Sequence, residues 1–397
     1  MARKTLATLG SAVVVALVAT GCGSTSDSGS KSPSSSAGVP TKQVAFADQI
    51  CGKGAQAKPG YNNGITPLTG GSSTLSGAGS TFVQPIMSIW TKQYSQEDKV
   101  QVAYQSIGSG GGVQQITAKT VDFGASDAPM KDDELAKAKD PVLHIPLTLG
   151  AVVPAYNVKG LKAGLKFDGP TLGKIYAGEI TTWDDPALKA LNPGIDLPSE
   201  PIAVVHRSDG SGTTAVWTDY LTKESPEWVS KLGGATKSSG KEVAWPVGIG
   251  GKGNEGVSGQ INQTEGGFGY VELAYALAQN MNYGQVKNKA GKFVQPCVET
   301  ITKGTDGVTY PPDLRTSLTD GPDPDAFPIT GTTYALVYQD QKDKAKAASL
   351  VNFLSWALTT GQDDAADVHY APLGEDLQGK SMAQVKKITL NGQPLVK

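Results

Sequence analysis

The sequence predicts an α/β protein in which strands alternate with helices. Apolar runs of strand length, such as IAVV at residues 202–205, lead directly into turns that are rich in glycine. Each of these turns is followed by apolar residues at helical spacing. The plan recurs along a chain of 397 residues, which is long enough for two domains. Such alternation indicates mainly parallel sheets, whose ligands bind where strands end and helices begin.

The first 21 residues are typical of a secretory signal peptide. A short basic start precedes an apolar run, residues 5–19, that is too short for an ordinary membrane span. The run ends in LVATGC, which resembles the cleavage site of bacterial lipoproteins, although Ala19 stands where Leu is usual. We therefore expect residues 1–21 to be removed and Cys22 to carry lipid, palmitate included. The alternative is an uncleaved signal anchor in which Cys22 has no role.

Residues 22–40 are predicted to form a flexible tether. They consist mostly of Ser, Gly, Thr, Lys and Pro, and this composition cannot bury enough apolar surface to fold. Residues 41–71 show little periodicity and are predicted to be an irregular extension, so that the folded body begins near Ser72. A lipid and a tether together describe a protein held at the outer face of the cytoplasmic membrane.

Charge and cysteine content narrow the possible partners. The formal net charge is −2, so the chain has no basic field that would attract nucleic acid. The histidines and cysteines lack metal-ligand spacing, and we expect neither a metal nor a cofactor. Outside the cytoplasm a cysteine pair is more often bridged than free, which predicts a disulfide between Cys51 and Cys297. The alternative is two unrelated buried thiols.

Two glycine turns in the first part of the body share one plan. The first turn, GAGSTF at residues 77–82, follows a short predicted strand and precedes a helix that Pro85 opens. The second turn, IGSGGG at residues 107–112, follows a predicted strand at residues 100–104, and a helix is expected from Val113 onward. In both turns, backbone N–H groups would converge in front of a helix N-terminus, where an anion can bind.

Several further strands and helices are predicted outside the three glycine turns. A strand at residues 121–125 ends in SDAP, and the acidic residues 132–134 begin a helix, where the helix dipole favours negative charge. A metal cluster is the less favoured explanation of those acids. Residues 143–158 are a long apolar stretch that contains two prolines, which suits a crossing between two lobes. Later predicted elements include strands at residues 267–271 and 332–338, and a final long helix.

The third turn is RSDGSGTT at residues 207–214, between the strand at residues 202–205 and a helix from Ala215. Its glycines permit a tight backbone, its hydroxyls add donors, and the helix start adds partial positive charge. Arg207 supplies a planar charged fork that suits a tetrahedral oxyanion, and Asp209 is placed to hold that fork. The alternative is an ordinary N-capped helix after a polar turn.

The three turns would enclose one anion if the fold brings them together. Asp127 is then the residue that needs explanation, because a carboxylate repels an anion. It suits an anion that carries a proton, since monohydrogen or dihydrogen phosphate can donate that proton to Asp127. Sulfate has no proton to donate, and burying such a mismatch costs several kcal/mol. The residues therefore favour phosphate, with sulfate or another oxyanion as the alternative.

Four motifs in the same order resemble the phosphate-binding proteins that deliver phosphate to ABC transporters. They are GAGSTF at residues 77–82, IGS at residues 107–109, VDFGASDAP at residues 121–129 and RSDGSGT at residues 207–213. The likeness extends from Ser72 to the C-terminus. It implies the two-lobed, type II periplasmic-binding-protein fold, a Venus flytrap with mixed sheets, flanking helices and a ligand cleft between the lobes.

The resemblance also implies how the chain is divided and what it contacts. Lobe 1 would comprise residues 72–148 and 331–397, and lobe 2 residues 149–330. The lobes would close on phosphate by a hinge motion, and the protein, expected as a monomer, would dock on the membrane permease and its ATPase. Asp209 would orient Arg207, and Phe82 would bind through its backbone N–H. The implied phosphate ligands are Thr81, Phe82, Ser109, Asp127, Arg207, Ser211, Gly212 and Thr213.

A hydrolase, such as a secreted phosphatase, is the alternative from a different functional class. His206, Asp209 and Ser211 are the residue types of a hydrolytic triad. Crowded into one turn, they cannot adopt the geometry in which a base contacts its nucleophile. We therefore predict a binding protein with no catalytic residues.

Overall fold

The computed structural model describes residues 64–396, which form a mixed sheet of nine strands with helices around it and two small sheets of three strands. The predicted signal peptide, Cys22, the tether and Cys51 lie outside the described residues. The disulfide between Cys51 and Cys297 accordingly stays a prediction. In residues 64–396 no helix is long and apolar enough to cross a membrane.

The strands follow the predicted alternation with helices. They are β1 (Thr74–Gly79), β2 (Gln101–Ser106), β3 (Phe123–Ser126), β4 (Val142–Asn157), β5 (Lys166–Phe167), β6 (Ala203–Arg207), β7 (Ile249–Gly251), β8 (Gly267–Glu272), β9 (Asn282–Tyr283), β10 (Gln285–Lys287), β11 (Phe293–Val294), β12 (Thr330–Tyr338), β13 (Asp340–Gln341), β14 (Thr389–Leu390) and β15 (Gln393–Pro394).

Helices connect most of these strands. They are α1 (Gln84–Asp98), α2 (Ser109–Thr117), α3 (Asp132–Ala138), α4 (Gly169–Ala177), α5 (Pro186–Leu191), α6 (Gly212–Glu224), α7 (Pro226–Leu232), α8 (Ala235–Ser238), α9 (Gly253–Gln263), α10 (Leu273–Ala278), α11 (Val298–Thr302), α12 (Lys344–Ala357) and α13 (Glu375–Val385). The long helix predicted near the C-terminus is α12, but it is followed by α13, which sequence periodicity missed.

The large sheet has the order β2-β1-β3-β12-β4-β8-β6-β7, and β9 also pairs with β4. At each end of the sheet the neighbouring strands run parallel, because helices cross over between them. Its centre is antiparallel, since β12 returns beside β4 after a long excursion. The expectation of mainly parallel sheets was therefore wrong, whereas the mixed sheets that the resemblance implied are confirmed.

The 16-residue strand β4 joins the two halves of the sheet. Its first part, Val142–Ala151, pairs with β12, and its second part, Val152–Asn157, pairs with β8. All but the two end residues of β4 are buried, which explains why its sequence is apolar throughout and does not alternate. The apolar stretch predicted from the sequence is thus one continuous strand, even though it contains Pro146 and Pro154.

Helix α2 begins earlier than predicted, at Ser109, so residues 110–112 form its first turn. Close backbone contacts account for these glycines. A Cβ on Gly110 would lie 3.0 Å from the Cα of Gly210, and one on Gly112 would lie 2.7 Å from the Cα of Gly79. The glycine run therefore allows α2 to pack directly against two other turns.

The packed body also begins before Ser72. Ile65 is buried, and its N–H donates to Ser355 Oγ at 2.9 Å. The N–H of Leu68 donates to Asn352 Oδ1 at 2.8 Å. Residues 64–70 have no regular secondary structure but lie along α12. Sequence periodicity could not reveal this contact, because side chains of a distant helix satisfy the extended backbone.

Candidate anion-binding site

The three predicted turns meet at one point in the fold. Ser80 follows β1, and its Oγ lies 2.6 Å from both carboxylate oxygens of Asp127, which follows β3. The N–H of Gly110 in α2 donates to the carbonyl of Gly210 at 2.8 Å. A Cβ on Gly212 would lie 2.4 Å from Asp127 Oδ2 and 2.5 Å from Ser109 Oγ. Segments far apart in sequence therefore surround a single position.

Asp127 is a buried acceptor at the centre of this arrangement. It is 5% exposed and accepts hydrogen bonds from Ser80, from Thr333 Oγ1 at 2.6 Å and from Ser109 Oγ at 3.3 Å. A carboxylate offers about four acceptor positions. One position therefore stays available for a further donor.

Burial raises the pKa of Asp127 from 3.8 to about 6. Hydrogen bonds from Ser80 and Thr333 and the charge of Arg207 lower the pKa, but burial outweighs them. Near neutral pH the group is still mostly ionised and can accept a proton from a ligand. At pH 5 it carries its own proton.

Arg207 ends strand β6 and is held rigidly by Asp209. Its Nε donates to Asp209 Oδ1 at 2.8 Å, and Nη2 donates to Oδ2 at 2.5 Å. Burial raises the pKa of Asp209, but the bonds from Arg207 and its charge bring the pKa below the usual value. The N–H of Gly253 also donates to Oδ1 at 3.0 Å. Asp209 therefore orients the guanidinium, as the sequence predicted.

The guanidinium has two N–H groups left for an anion. Arginine carries five N–H donors. Among the described residues, two of them bond to Asp209, and Nη1 donates a third to Thr213 Oγ1 at 3.4 Å. The Arg207 side chain is 1% exposed, so a buried positive charge faces this position with unused donors.

The N-terminus of α6 adds further donors. Ser211 is the N-cap, and its Oγ accepts from the N–H of Thr214 at 3.0 Å. The N–H of Ala215 bonds to the Ser211 carbonyl. The first helical N–H groups, those of Gly212 and Thr213, have no acceptor within their own helix. Together with the helix dipole, they form a site that suits an anion.

Asn254 contacts two of the predicted ligands, although the sequence analysis did not single it out. Its Nδ2 lies 2.8 Å from Thr81 Oγ1 and 3.1 Å from Thr213 Oγ1. It stands in the first turn of α9, after strand β7 and the glycine-rich residues 248–253. This is a fourth example of the strand, glycine turn and helix plan. That repetition was the signal that could have found it.

Two other contacts were not predicted. Thr333 lies in β12 and donates to Asp127, and nothing in its strand sequence sets it apart. The N–H of Phe82 donates to Ser80 Oγ at 2.9 Å. To reach an anion, this N–H must share its hydrogen with Ser80 or exchange that bond. The other predicted residues belong to the turns that meet here, and their roles as ligands stay predictions.

The residues of the alternative hydrolytic triad point in different directions. His206 Nδ1 lies 3.0 Å from the carbonyl oxygen of Arg207, and the His206 ring stacks on Trp245 with 5.0 Å between centroids. Asp209 is bonded to Arg207, and Ser211 caps α6. The arrangement supports anion binding through charge and hydrogen bonds, and it lends no support to a base-activated nucleophile.

Comparison with known proteins agrees with this geometry. A family model described as a PBP superfamily domain matches residues 64–360. Phosphate-binding protein PstS of Xylella fastidiosa is 42% identical over 306 residues, which cover 76% of this chain and 82% of that protein. Phosphate-binding protein PstS of Pasteurella multocida is 41% identical over 322 residues, which cover 80% of this chain and 92% of that protein.

The fold is also that of a solved structure. A high-affinity periplasmic phosphate-binding protein, bound with phosphate, superposes with a TM-score of 0.62 at 18% identity. The match covers 81% of this chain and 100% of that one, and it confirms the periplasmic-binding-protein fold. The chain therefore belongs to the PBP superfamily and, within it, to the family of phosphate-binding proteins named PstS.

Proposed function

We propose that this chain binds inorganic phosphate outside the cytoplasmic membrane and delivers it to the permease of an ABC transporter for import. The observation that carries the proposal is a buried acceptor, Asp127, placed among donors that include the guanidinium of Arg207. An anion in this position must carry both negative charge and a proton. Relatives named phosphate-binding protein PstS, at 41–42% identity, support the same substrate.

We propose that donors from all the turns surround the anion. Arg207 would contribute its two remaining N–H groups, and Gly212 and Thr213 their backbone N–H groups. Phe82 would contribute its N–H by sharing the bond to Ser80. Asp127 would accept the proton of the anion. The hydroxyl donors would be those of Thr81, Ser211 and Thr213, and Ser109 would donate by sharing the bond that it makes to Asp127.

The proposed two lobes, with the chain crossing near residues 148–150 and 330, are supported by the pairing of β4. Near Ala151 this strand exchanges β12 for β8 as its partner. On this division Glu134 of lobe 1 and Lys241 of lobe 2 face each other across the cleft, with Lys241 Nζ 2.8 Å from Glu134 Oε2. Their side chains are 20% and 10% exposed. This ion pair would stabilise the closed form.

Breaking that ion pair should speed phosphate release. We expect Lys241→Met to raise the phosphate Kd roughly threefold to tenfold, mainly through a faster dissociation rate, because only the closed form loses a contact. Stopped-flow measurement of phosphate release tests this expectation. Lys119→Met is the matched control, since it breaks an exposed pair with Asp140 inside lobe 1. An unchanged release rate in Lys241→Met would contradict the proposed closure.

Calorimetric titration of the chain without residues 1–22, stripped of bound anion, tests the function directly. At pH 7.5 we expect tight phosphate binding and no response to sulfate, because sulfate would leave Asp127 facing an unprotonated oxygen. Equal binding of both anions would make the protein a general oxyanion receptor. No binding of either anion would refute the proposal, and a hydrolase screen would follow.

The proposed membrane anchor and the proposed transporter partners rest on the N-terminal sequence and on the family. A signal peptide of residues 1–21, a lipid on Cys22 and the tether would hold the protein at the outer face of the cytoplasmic membrane. A single-chain clamp would serve the permease and its ATPase as a monomer. Relatives named as binding proteins support a role without catalysis. Mass spectrometry of the mature N-terminus would detect the lipid.

A further inference from the structure

Asn254 is a buried side chain whose hydrogen bonds all go to the site or to its support. It is 0% exposed. Its amide nitrogen carries two hydrogens, and both are used, one on Thr81 Oγ1 and one on Thr213 Oγ1. Its Oδ1 accepts from the N–H of Glu272 at 3.0 Å, which fixes the amide orientation. Asn254 therefore presents donors to both threonines.

The hydroxyl of Thr81 is thereby left with only its proton to offer. A hydroxyl has one donor and two acceptor positions. Thr81 Oγ1 accepts from Asn254 Nδ2 at 2.8 Å and from the Asn254 backbone N–H at 3.1 Å. Both acceptor positions are occupied by groups that can only donate. The Thr81 O–H must point elsewhere.

The hydroxyl of Thr213 likewise has only its proton left to donate. Its Oγ1 accepts from Asn254 Nδ2 at 3.1 Å and from Arg207 Nη1 at 3.4 Å. Neither threonine hydroxyl donates to a protein acceptor within residues 64–396. Both residues are buried, so both protons need an acceptor that the site must receive from outside.

We propose that Asn254 is a positioning residue that fixes the hydroxyls of Thr81 and Thr213 as donors, so that both offer protons to the oxygens of a bound anion. Without Asn254 each hydroxyl could rotate and present a lone pair, which repels an anion. The proposal rests on the proposed function, because it deepens how the same site selects phosphate. Asn254 itself does not touch the anion.

A single-atom exchange gives a direct test. Asn254→Asp keeps the oxygen that accepts from Glu272 but replaces the donating nitrogen with an acceptor. Both threonine protons would turn toward the carboxylate, and a negative charge would be added. We expect phosphate affinity to fall more than about a hundredfold in calorimetric titration. The matched control is Asn288→Asp, because Asn288 is buried and its Nδ2 donates to the carbonyls of Pro324 and Ala326. We expect Asn288→Asp to lower stability and to retain wild-type phosphate affinity.

A double-mutant cycle separates positioning from mere structural support. Asn254→Ala should weaken phosphate binding about tenfold in the wild-type background. In the background Thr81→Val/Thr213→Val there are no hydroxyls to orient, so the same change should cost less than about twofold. Thermal unfolding of every variant shows whether it is folded. The cycle does not use Asn254→Asp, so it remains a test even if that variant fails to fold.

The possible failures are distinguishable. If wild type binds no phosphate, the proposed function fails. If wild type binds phosphate but Asn254→Ala costs the same factor in both backgrounds, Asn254 acts only through structure and the inference is overturned. Wild-type affinity in a folded Asn254→Asp variant would overturn it as well.

Discussion

Arg207→Met is expected to weaken phosphate binding by more than about a thousandfold. The change removes a buried cation that has two free N–H donors, each worth about 1.5–3 kcal/mol against a charged partner. It also leaves Asp209 without its partner, so a negative charge would stand beside the anion. Calorimetric titration with phosphate at pH 7.5 measures the loss.

Stability should fall in the same variant, because breaking a buried ion pair costs roughly 3–5 kcal/mol. The double variant Arg207→Met/Asp209→Asn removes the unpaired carboxylate as well. We expect it to recover much of the free energy of unfolding while phosphate binding stays lost. Lys292→Met is a control, since Lys292 pairs with Asp325 at the surface within lobe 2. Phosphate affinity within tenfold of wild type in Arg207→Met would exclude Arg207 as the main counter-charge.

Asp127→Asn should remove the discrimination between phosphate and sulfate. An amide cannot accept a proton from an anion as a carboxylate does, but its N–H can donate to an unprotonated oxygen. We therefore expect weaker phosphate binding and measurable sulfate binding at pH 7.5 in the variant. A variant that still binds phosphate tightly and excludes sulfate would show that selectivity resides elsewhere.

The pH dependence of wild type follows from the same carboxyl group. The pKa of Asp127 is about 6, so the group gains its own proton as the pH falls from 7.5 to 5. Protonated Asp127 can donate to an oxygen of sulfate, and sulfate affinity should rise over this range. In Asp127→Asn, sulfate binding should change little with pH. Parallel titrations at pH 5 and 7.5 compare the two proteins.

Stability without anion provides an independent check of that pKa. Because the folded-state pKa is raised from 3.8 to about 6, the stabilising effect of the protonated form is fully present below pH 3.8. It is lost as the pH rises through about 6, and the loss amounts to roughly 3 kcal/mol. From pH 4 to pH 7.5, wild type should therefore lose about this amount of unfolding free energy relative to Asp127→Asn.

Local sequence signals were enough for much of the fold and for most of the site. Glycine turns between apolar strands and helices predicted β1, β2, β6 and the helices that follow them, because turn chemistry and helix starts depend on neighbouring residues. Asp127 was predicted because a carboxylate next to the glycine turns would repel an unprotonated anion. This repulsion can be inferred from residue types alone. The family motifs then predicted that these residues line one cleft.

The features that the sequence did not predict depend on contacts between distant segments. Thr333 bonds to Asp127 from a strand about 200 positions later, and the close approach of α2 to Gly210 explains a glycine run that looked like a loop. Residues 64–70 appeared irregular, since side chains of α12 accept hydrogen bonds from the N–H groups of Ile65 and Leu68 in place of a regular element. None of these contacts leaves a periodic pattern in the local sequence.

The sequence by itself determined the residue types of the candidate site, namely an arginine fork, hydroxyl and backbone donors and one carboxylate that suits a protonated anion. Only the tertiary structure decided which hydrogen bonds are already used inside the protein. Asn254 occupies the acceptor positions of Thr81, and Ser80 accepts the N–H of Phe82. A polar group has few hydrogen-bonding positions, and which of them remain for a ligand depends on neighbours that only folding brings together.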